Sequence, residues 1–170
     1  VETTVALLKP DLLSLEQTPE ILDRIRKAGF EIVDMEEMQL TEAQVAQLYR
    51  GEVEEPHFGR LARYLCEGPL LALALRKRNA VEAWLAMGGP EDPYEAKAEC
   101  PGSLRAIYGS HRTRNAVHAS ANVPLANYEL QCIFDNFSVG EQDIFVWIKP
   151  DGFQHKAEIL EIMEQQQFDI

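Results

Sequence analysis

The sequence predicts an α/β sandwich, an antiparallel sheet with helices packed on one face. Three observations lead there. Strand-like and helix-like runs follow the order strand–helix–strand, several helices, then strand–helix, which is the order of a split βαβ arrangement. The run PLLALALRK, residues 69–77, reads as a buried strand between two helical segments. Near its end the chain repeats the pattern with which it begins.

The elements follow in order. TTVALLKPD contains a short apolar strand, Val5 to Leu8, stopped by Lys9-Pro10-Asp11. In TPEILDRIRKAGF, Thr18 is the expected N-cap, with Pro19 at the first helical position. Ile21, Leu22 and Ile25 make that helix's apolar stripe, and Gly29 closes it. FEIVDMEEMQL alternates as a strand, and Thr41 with Gln44 forms a capping box opening EAQVAQLYR. After the loop GEVEEP, HFGRLARYLCEG reads as a helix ending at Gly68. NAVEAWLAM is a helix with Asn79 as its cap. GGPEDPYEAKAECPG is a Gly- and Pro-rich loop with one short helical turn, and SLRAIYG is a short helix. VPLANYELQCIF is a helix with Pro124 in its first turn.

The repeat sets the expected domain organisation. KPD occurs at Lys9 and again at Lys149, EIL at Glu20 and Glu158, and FEI at Phe30 is echoed by FDI at Phe168. Three matches in the same order, each on the same kind of element, point to a second copy. Residues 1–137 are therefore expected to form one domain, 138–143 a linker, and 144–170 the N-terminal fragment of a second domain whose remainder lies beyond this sequence. The chain starts at Val1 without a methionine, which leaves room for an upstream segment.

Composition narrows the function. The 170 residues carry 28 acidic against 16 basic side chains, a net charge of −12, with 46% hydrophobic content. Such a field repels polyanions, so neither nucleic acid nor an anionic membrane is an expected partner, and any phosphate site must be local. The apolar run GPLLALAL is too short to cross a bilayer. Cys66, Cys100 and Cys132 are odd in number and widely spaced, which suits reduced thiols in the cytosol better than disulfides or zinc.

Within that acidic chain, Arg105, His111, Arg112, Arg114 and His118 fall in fourteen residues that contain no acid. Guanidinium forks match phosphate oxygens in geometry and charge. With Lys9 at a strand end, the set suggests phosphoryl transfer, cationic clamps around a titratable nucleophile. Composition alone leaves a solvated basic turn with a surface histidine equally open. No Walker A motif and no G-x-G-x-x-G loop is present.

ALLKPD, SLRAIYG and RNAVHAS, in this order and spacing, resemble the nucleoside diphosphate kinase family and its Asn-x-x-His-Gly-Ser motif. The resemblance covers residues 4 to about 134, with a partial second match over 144–170. It implies a ferredoxin-like fold: a four-stranded antiparallel sheet covered by helices, an α/β (α+β) sandwich. It also implies ping-pong transfer of a γ-phosphoryl from ATP or another nucleoside triphosphate to a diphosphate, with Mg2+ carried on the nucleotide and no metal site of the protein's own. By that resemblance His118 carries the phosphoryl group. Lys9 and Tyr49 lie near the transferring phosphoryl, Arg105 contacts the terminal phosphates, and Asn115 bonds the ribose. Glu129, supported by Ser120, orients the imidazole.

The departures cluster around the nucleotide. His57 stands where the family stacks a phenylalanine on the base, and Arg112 where the opposing wall is apolar. Leu85 replaces a phosphate-binding arginine, Glu91 replaces a threonine, and Ala119 and Ala121 replace the glycine and aspartate after the histidine. Losing one charge-assisted phosphate contact costs about 1.5–3 kcal/mol.

The long loop GPEDPYEAKAECPG, with the repeat, resembles the divergent ciliary branch, including thioredoxin fusions and tandem members. Two functions follow as expectations. One is an active nucleoside diphosphate kinase in the cytoplasm, set in a cilium or flagellum axoneme. The other is a weakened or inactive module that docks axonemal or microtubule-associated proteins.

Overall fold

The computed structural model describes residues 1–13, 17–134 and 155–165. The chain divides into two compact units, Val1–Val139 and Gly140–Ile170. The first is built from β1 (Glu2–Leu8), α1 (Pro10–Leu13), α2 (Thr18–Lys27), β2 (Glu31–Met38), α3 (Glu42–Leu48), α4 (Phe58–Leu65), β3 (Leu70–Lys77), α5 (Ala80–Gly88), α6 (Pro93–Glu99), α7 (Leu104–Tyr108), β4 (Val117–Ala119) and α8 (Val123–Ile133). In the second unit, α9 (Lys156–Gln165) is described. The linker expected at 138–143, the repeated strand with Lys149, and Phe168 lie outside the described residues.

The four strands form one antiparallel sheet in the order β2-β3-β1-β4, the ferredoxin-like arrangement that the sequence resemblance implies. The expectation of helices on one face is corrected. Val5 and Leu7 enter a core with Val45, Leu48, Leu61, Leu65 and Leu130, so α3, α4 and α8 cover one face. Ala6 and Leu8 enter a second core with Leu12, Ile21, Ile25, Trp84 and Leu104, so α1, α2, α5 and α7 cover the other. The reason lies in β1, whose Val-Ala-Leu-Leu run has no polar alternation; a strand apolar on both faces needs cover on both. Each fully buried Leu or Ile contributes about 1.5–3 kcal/mol.

Local expectations differ from the structure in instructive places. Thr18 lies inside α2, and Gln17 holds the N-cap position without a side-chain bond. Asn79 does precede α5, but in the left-handed region (φ 57°) and without a capping bond. The Thr41–Gln44 capping box is present in full. The segment after Gly89 holds more helix than one turn, because Asp92 accepts from the Tyr94 N–H and Pro93 starts α6. Val117–Ala119 carries no strand signal of its own; β4 is too short for a periodic one and exists through its pairing with β1.

Candidate active site

β4 pairs His118 with Leu7 and continues the sheet beside β1, whose last residue leads into Lys9. His118 is 9% exposed and Glu129, on the inner face of α8, is fully buried. The imidazole Nε2 sits 3.1 Å from Glu129 Oε2, off the line that a straight hydrogen bond requires. Ser120 donates to the same carboxylate oxygen at 2.5 Å, and Thr4 donates to Ser120 at 3.4 Å. The Trp84 indole donates to the His118 carbonyl at 2.9 Å, tying β4 to α5. Tyr49, the C-cap of α3, sets its ring edge-on to the imidazole with centroids 5.1 Å apart. Burial, then the Glu129 carboxylate, raises the Tyr49 phenol above its ordinary value, so it stays protonated.

Cations line the same space. Lys9 is 4% exposed and donates from Nζ to Asn115 Oδ1 at 2.7 Å. Burial, reinforced by Arg105, pushes the Lys9 ammonium down to about 8, while Asp11, Glu91 and Glu52 pull the other way. Arg105 donates to the carbonyls of Gly89 at 2.6 Å and Val117 at 3.2 Å, and burial lowers its pKa. Asn115 donates from Nδ2 to the Glu91 carbonyl at 3.0 Å. The carbonyls of residues 89 and 91 thus hold two of the side chains that face the cleft.

The backbone at this point is strained. Ala116, fully buried, has φ 70°, and the Val117 N–H donates to the Asn115 carbonyl at 2.8 Å, a left-handed γ-turn. An alanine there costs about 1–2 kcal/mol. The turn is anchored from outside: the Lys9 N–H donates to the Ala116 carbonyl, and Arg114 pairs with Glu67 at 2.7 Å while lying over the Tyr64 ring. Tyr64 in turn donates to Asp11 of the KPD segment.

The imidazole, the Glu129 carboxylate and the buried cations line a cleft of about 820 Å3. Lys9, Tyr49, His57, Glu91, Arg105, Arg112, Asn115, His118 and Glu129 all border it. Leu85, half-buried on α5, does not. Sequence reasoning missed Glu52, whose carboxylate holds the His57 Nε2 at 2.7 Å. Only its position in the same short loop as His57 hinted at it. A second groove of about 770 Å3 is lined by Leu13, Leu22, Met35 and Arg114 among others, with no comparable convergence of polar groups.

The Tyr49 hydroxyl and Arg105 Nε are buried at the cleft without a hydrogen-bond partner, and His118 Nε2 and Glu129 Oε1 also lack one within the His118–Glu129 pair. Among the described residues no group of three His, Cys, Asp or Glu side chains can hold a metal. Among the described residues no helix is long and apolar enough to cross a membrane.

Comparison with known proteins agrees with this fold. The family model described as nucleoside diphosphate kinase matches residues 2–139. A nucleoside diphosphate kinase from Desulfovibrio desulfuricans is 36% identical over 141 residues, 83% of this chain and 99% of that protein. A thioredoxin domain-containing protein 3 homolog from Heliocidaris crassispina is 37% identical over 172 residues, all of this chain but 20% of that protein. The chain spans between a fifth and less than half of the length of its thioredoxin domain-containing relatives. The crystal structure of the Aquifex aeolicus nucleoside diphosphate kinase superposes with a TM-score of 0.77 at 32% identity, covering 79% of this chain and 96% of that one.

Proposed function

The chain belongs to the nucleoside diphosphate kinase family, and we propose that its cleft moves the γ-phosphoryl of a nucleoside triphosphate to a nucleoside diphosphate through a phosphohistidine at His118. One observation carries this reading: the imidazole turns Nε2 to the buried Glu129 carboxylate in a cleft also lined by Lys9, Arg105 and Asn115. With the proton on Nε2 facing that carboxylate, the lone pair is on Nδ1. Nδ1 attacks the γ-phosphorus, a P–N bond forms, and the bond to the β-bridging oxygen breaks, releasing the diphosphate. In the return half, a terminal oxygen of a second diphosphate attacks the phosphorus and the P–N bond breaks. Lys9 and Arg105 neutralise charge that spreads over the transferring oxygens, and Tyr49 packs the imidazole in place. Asn115, aligned by Lys9 and the Glu91 carbonyl, presents its amide to the ribose. Magnesium on the phosphates supplies further charge neutralisation.

A second reading has its own support. Leu85 lies off the cleft where an arginine clamp is expected, and Glu91 brings a carboxylate to the lining beside Lys9 and Arg105. That arrangement suits a weakened kinase module that docks axonemal or microtubule-associated proteins in a cilium or flagellum. The tandem organisation belongs to the same proposal, with a domain over 1–137 and a second copy starting at 144. Its support is that α9 matches α2 in its ten-residue length, and both carry glutamate, Glu158 and Glu20, at the third position.

Incubation with γ-labelled ATP and magnesium tests the enzyme reading. Acid-labile, base-stable label is expected on the native chain and absent from His118→Gln. Unlabelled native protein, or equal label on the variant, sinks it and leaves the docking module.

A further inference from the structure

We propose that Tyr64 is a positioning residue of the phosphate site: it clasps the Lys9-Pro10-Asp11 segment to the Arg114-Asn115-Ala116 turn and so holds Lys9 against Asn115. The inference rests on the nucleotide reading above. The two tripeptides lie side by side and are joined at three places. The Lys9 N–H donates to the Ala116 carbonyl at 2.8 Å. The Lys9 ammonium donates to Asn115 Oδ1 at 2.7 Å. At the third place Tyr64 touches both: its hydroxyl donates to the Asp11 carboxylate, and the Arg114 guanidinium lies 4.7 Å from its ring centroid. Glu67, just past the end of α4, holds the same guanidinium at 2.7 Å.

Tyr64 is buried in the last turn of α4 and belongs to the core on that face of the sheet. Phenylalanine would fill the same core, so packing does not account for the hydroxyl. Burial, then the bond to Asp11, raises the phenol above its ordinary value, so it stays a donor. Tyr64, Asp11, Glu67 and Arg114 do not border the cleft, so their effect on a ligand passes through Lys9 and Asn115. Both of the things they hold are costly by themselves, the φ 70° of Ala116 and the buried ammonium of Lys9. Such a turn and such an amine persist where the surrounding contacts over-determine them. Without the clasp the ammonium swings towards water and the turn relaxes. A displacement of about 1 Å at a group that neutralises phosphate charge is enough to cost up to about a hundredfold.

Calorimetric titration of the 170-residue chain with inorganic pyrophosphate, and NMR titration of the Lys9 Cε resonance, test this. Pyrophosphate has no ribose, so its affinity reports the Lys9 end of the clasp alone. Tyr64→Phe keeps the ring and loses the hydroxyl, and should bind pyrophosphate about tenfold more weakly at pH 7. In a Lys9→Met background the same substitution should change affinity by less than about twofold, because its effect passes through Lys9. Arg114→Lys keeps the charge, loses the flat cation on the ring, and should weaken binding in the same direction. The NMR readout separates positioning from a merely structural role. Burial and Arg105 hold the Lys9 midpoint down at about 8 in the native chain, against Asp11, Glu91 and Glu52. Tyr64→Phe should move it up towards the ordinary 10.5, as the ammonium gains water. An unchanged midpoint in Tyr64→Phe, or an equal loss of affinity in both backgrounds, overturns the inference. Absence of label on His118 while these shifts are present strikes the transfer reading and leaves the clasp. Failure of the native chain to bind pyrophosphate overturns both.

Discussion

Lys9 holds an ammonium group at 4% exposure beside Arg105, and burial brings its pKa down to about 8 from the ordinary 10.5. The sign of the consequence follows from linkage. Below pH 8 the folded and unfolded chains both carry the proton, and the burial penalty is present in full; between about 8 and 10.5 the folded chain sheds the proton first and the penalty fades. Lys9→Met should therefore stabilise the unliganded protein at pH 7 by about 1–3 kcal/mol, read by urea unfolding, with the gain disappearing towards pH 10.5. Phosphate prefers the charged amine, so pyrophosphate affinity should fall as pH rises through about 8 in the native chain. Lys9→Arg should flatten that dependence, because guanidinium does not titrate there. A pH-independent affinity in the native chain would place the ammonium outside the phosphate site.

The elements act on the site through their ends. Thr41 and Gln44 start α3 so that its C-cap, Tyr49, meets the imidazole. The segment after α5 acts through carbonyls. Gly89 has φ 78°, and a Cβ there would lie 2.3 Å from Ser103 Oγ and 2.6 Å from Ser103 Cβ. Gly89→Ala should displace the carbonyl that holds Arg105, cost about 2 kcal/mol or more, and weaken pyrophosphate binding. Chemical unfolding and calorimetry read the two effects separately, and an alanine variant with native affinity would show that the carbonyl is not what aligns Arg105. Much at this scale was legible: the capping box, the stripe of α2, and the histidine motif all rest on neighbours within a few positions. The Glu52–His57 pair and the hold on Arg105 were not, because they depend on how a loop folds back.

At the scale of the molecule, the first unit carries two cores on opposite faces of the sheet and every residue of the cleft. A chain ending at residue 139 should therefore keep a cooperative unfolding transition and native pyrophosphate affinity. Loss of either on truncation would assign residues 140–170 a part in the first unit.

By itself the sequence determined the sandwich class, the first three strands of the sheet and most of the helices, the likeness of its motifs to the family, and the local concentration of positive charge in a chain of net −12. Those features are encoded by periodicity, capping chemistry and spacing, which act over a few residues. Tertiary structure alone decided that both sheet faces are covered, that Val117–Ala119 becomes a strand, that Leu85 stays away from the cleft, and that Glu52 grips His57. Each of these is a pairing or a burial set by the register of β1 against its neighbours and by loops folding back, and such contacts leave no periodic trace in the segments that make them.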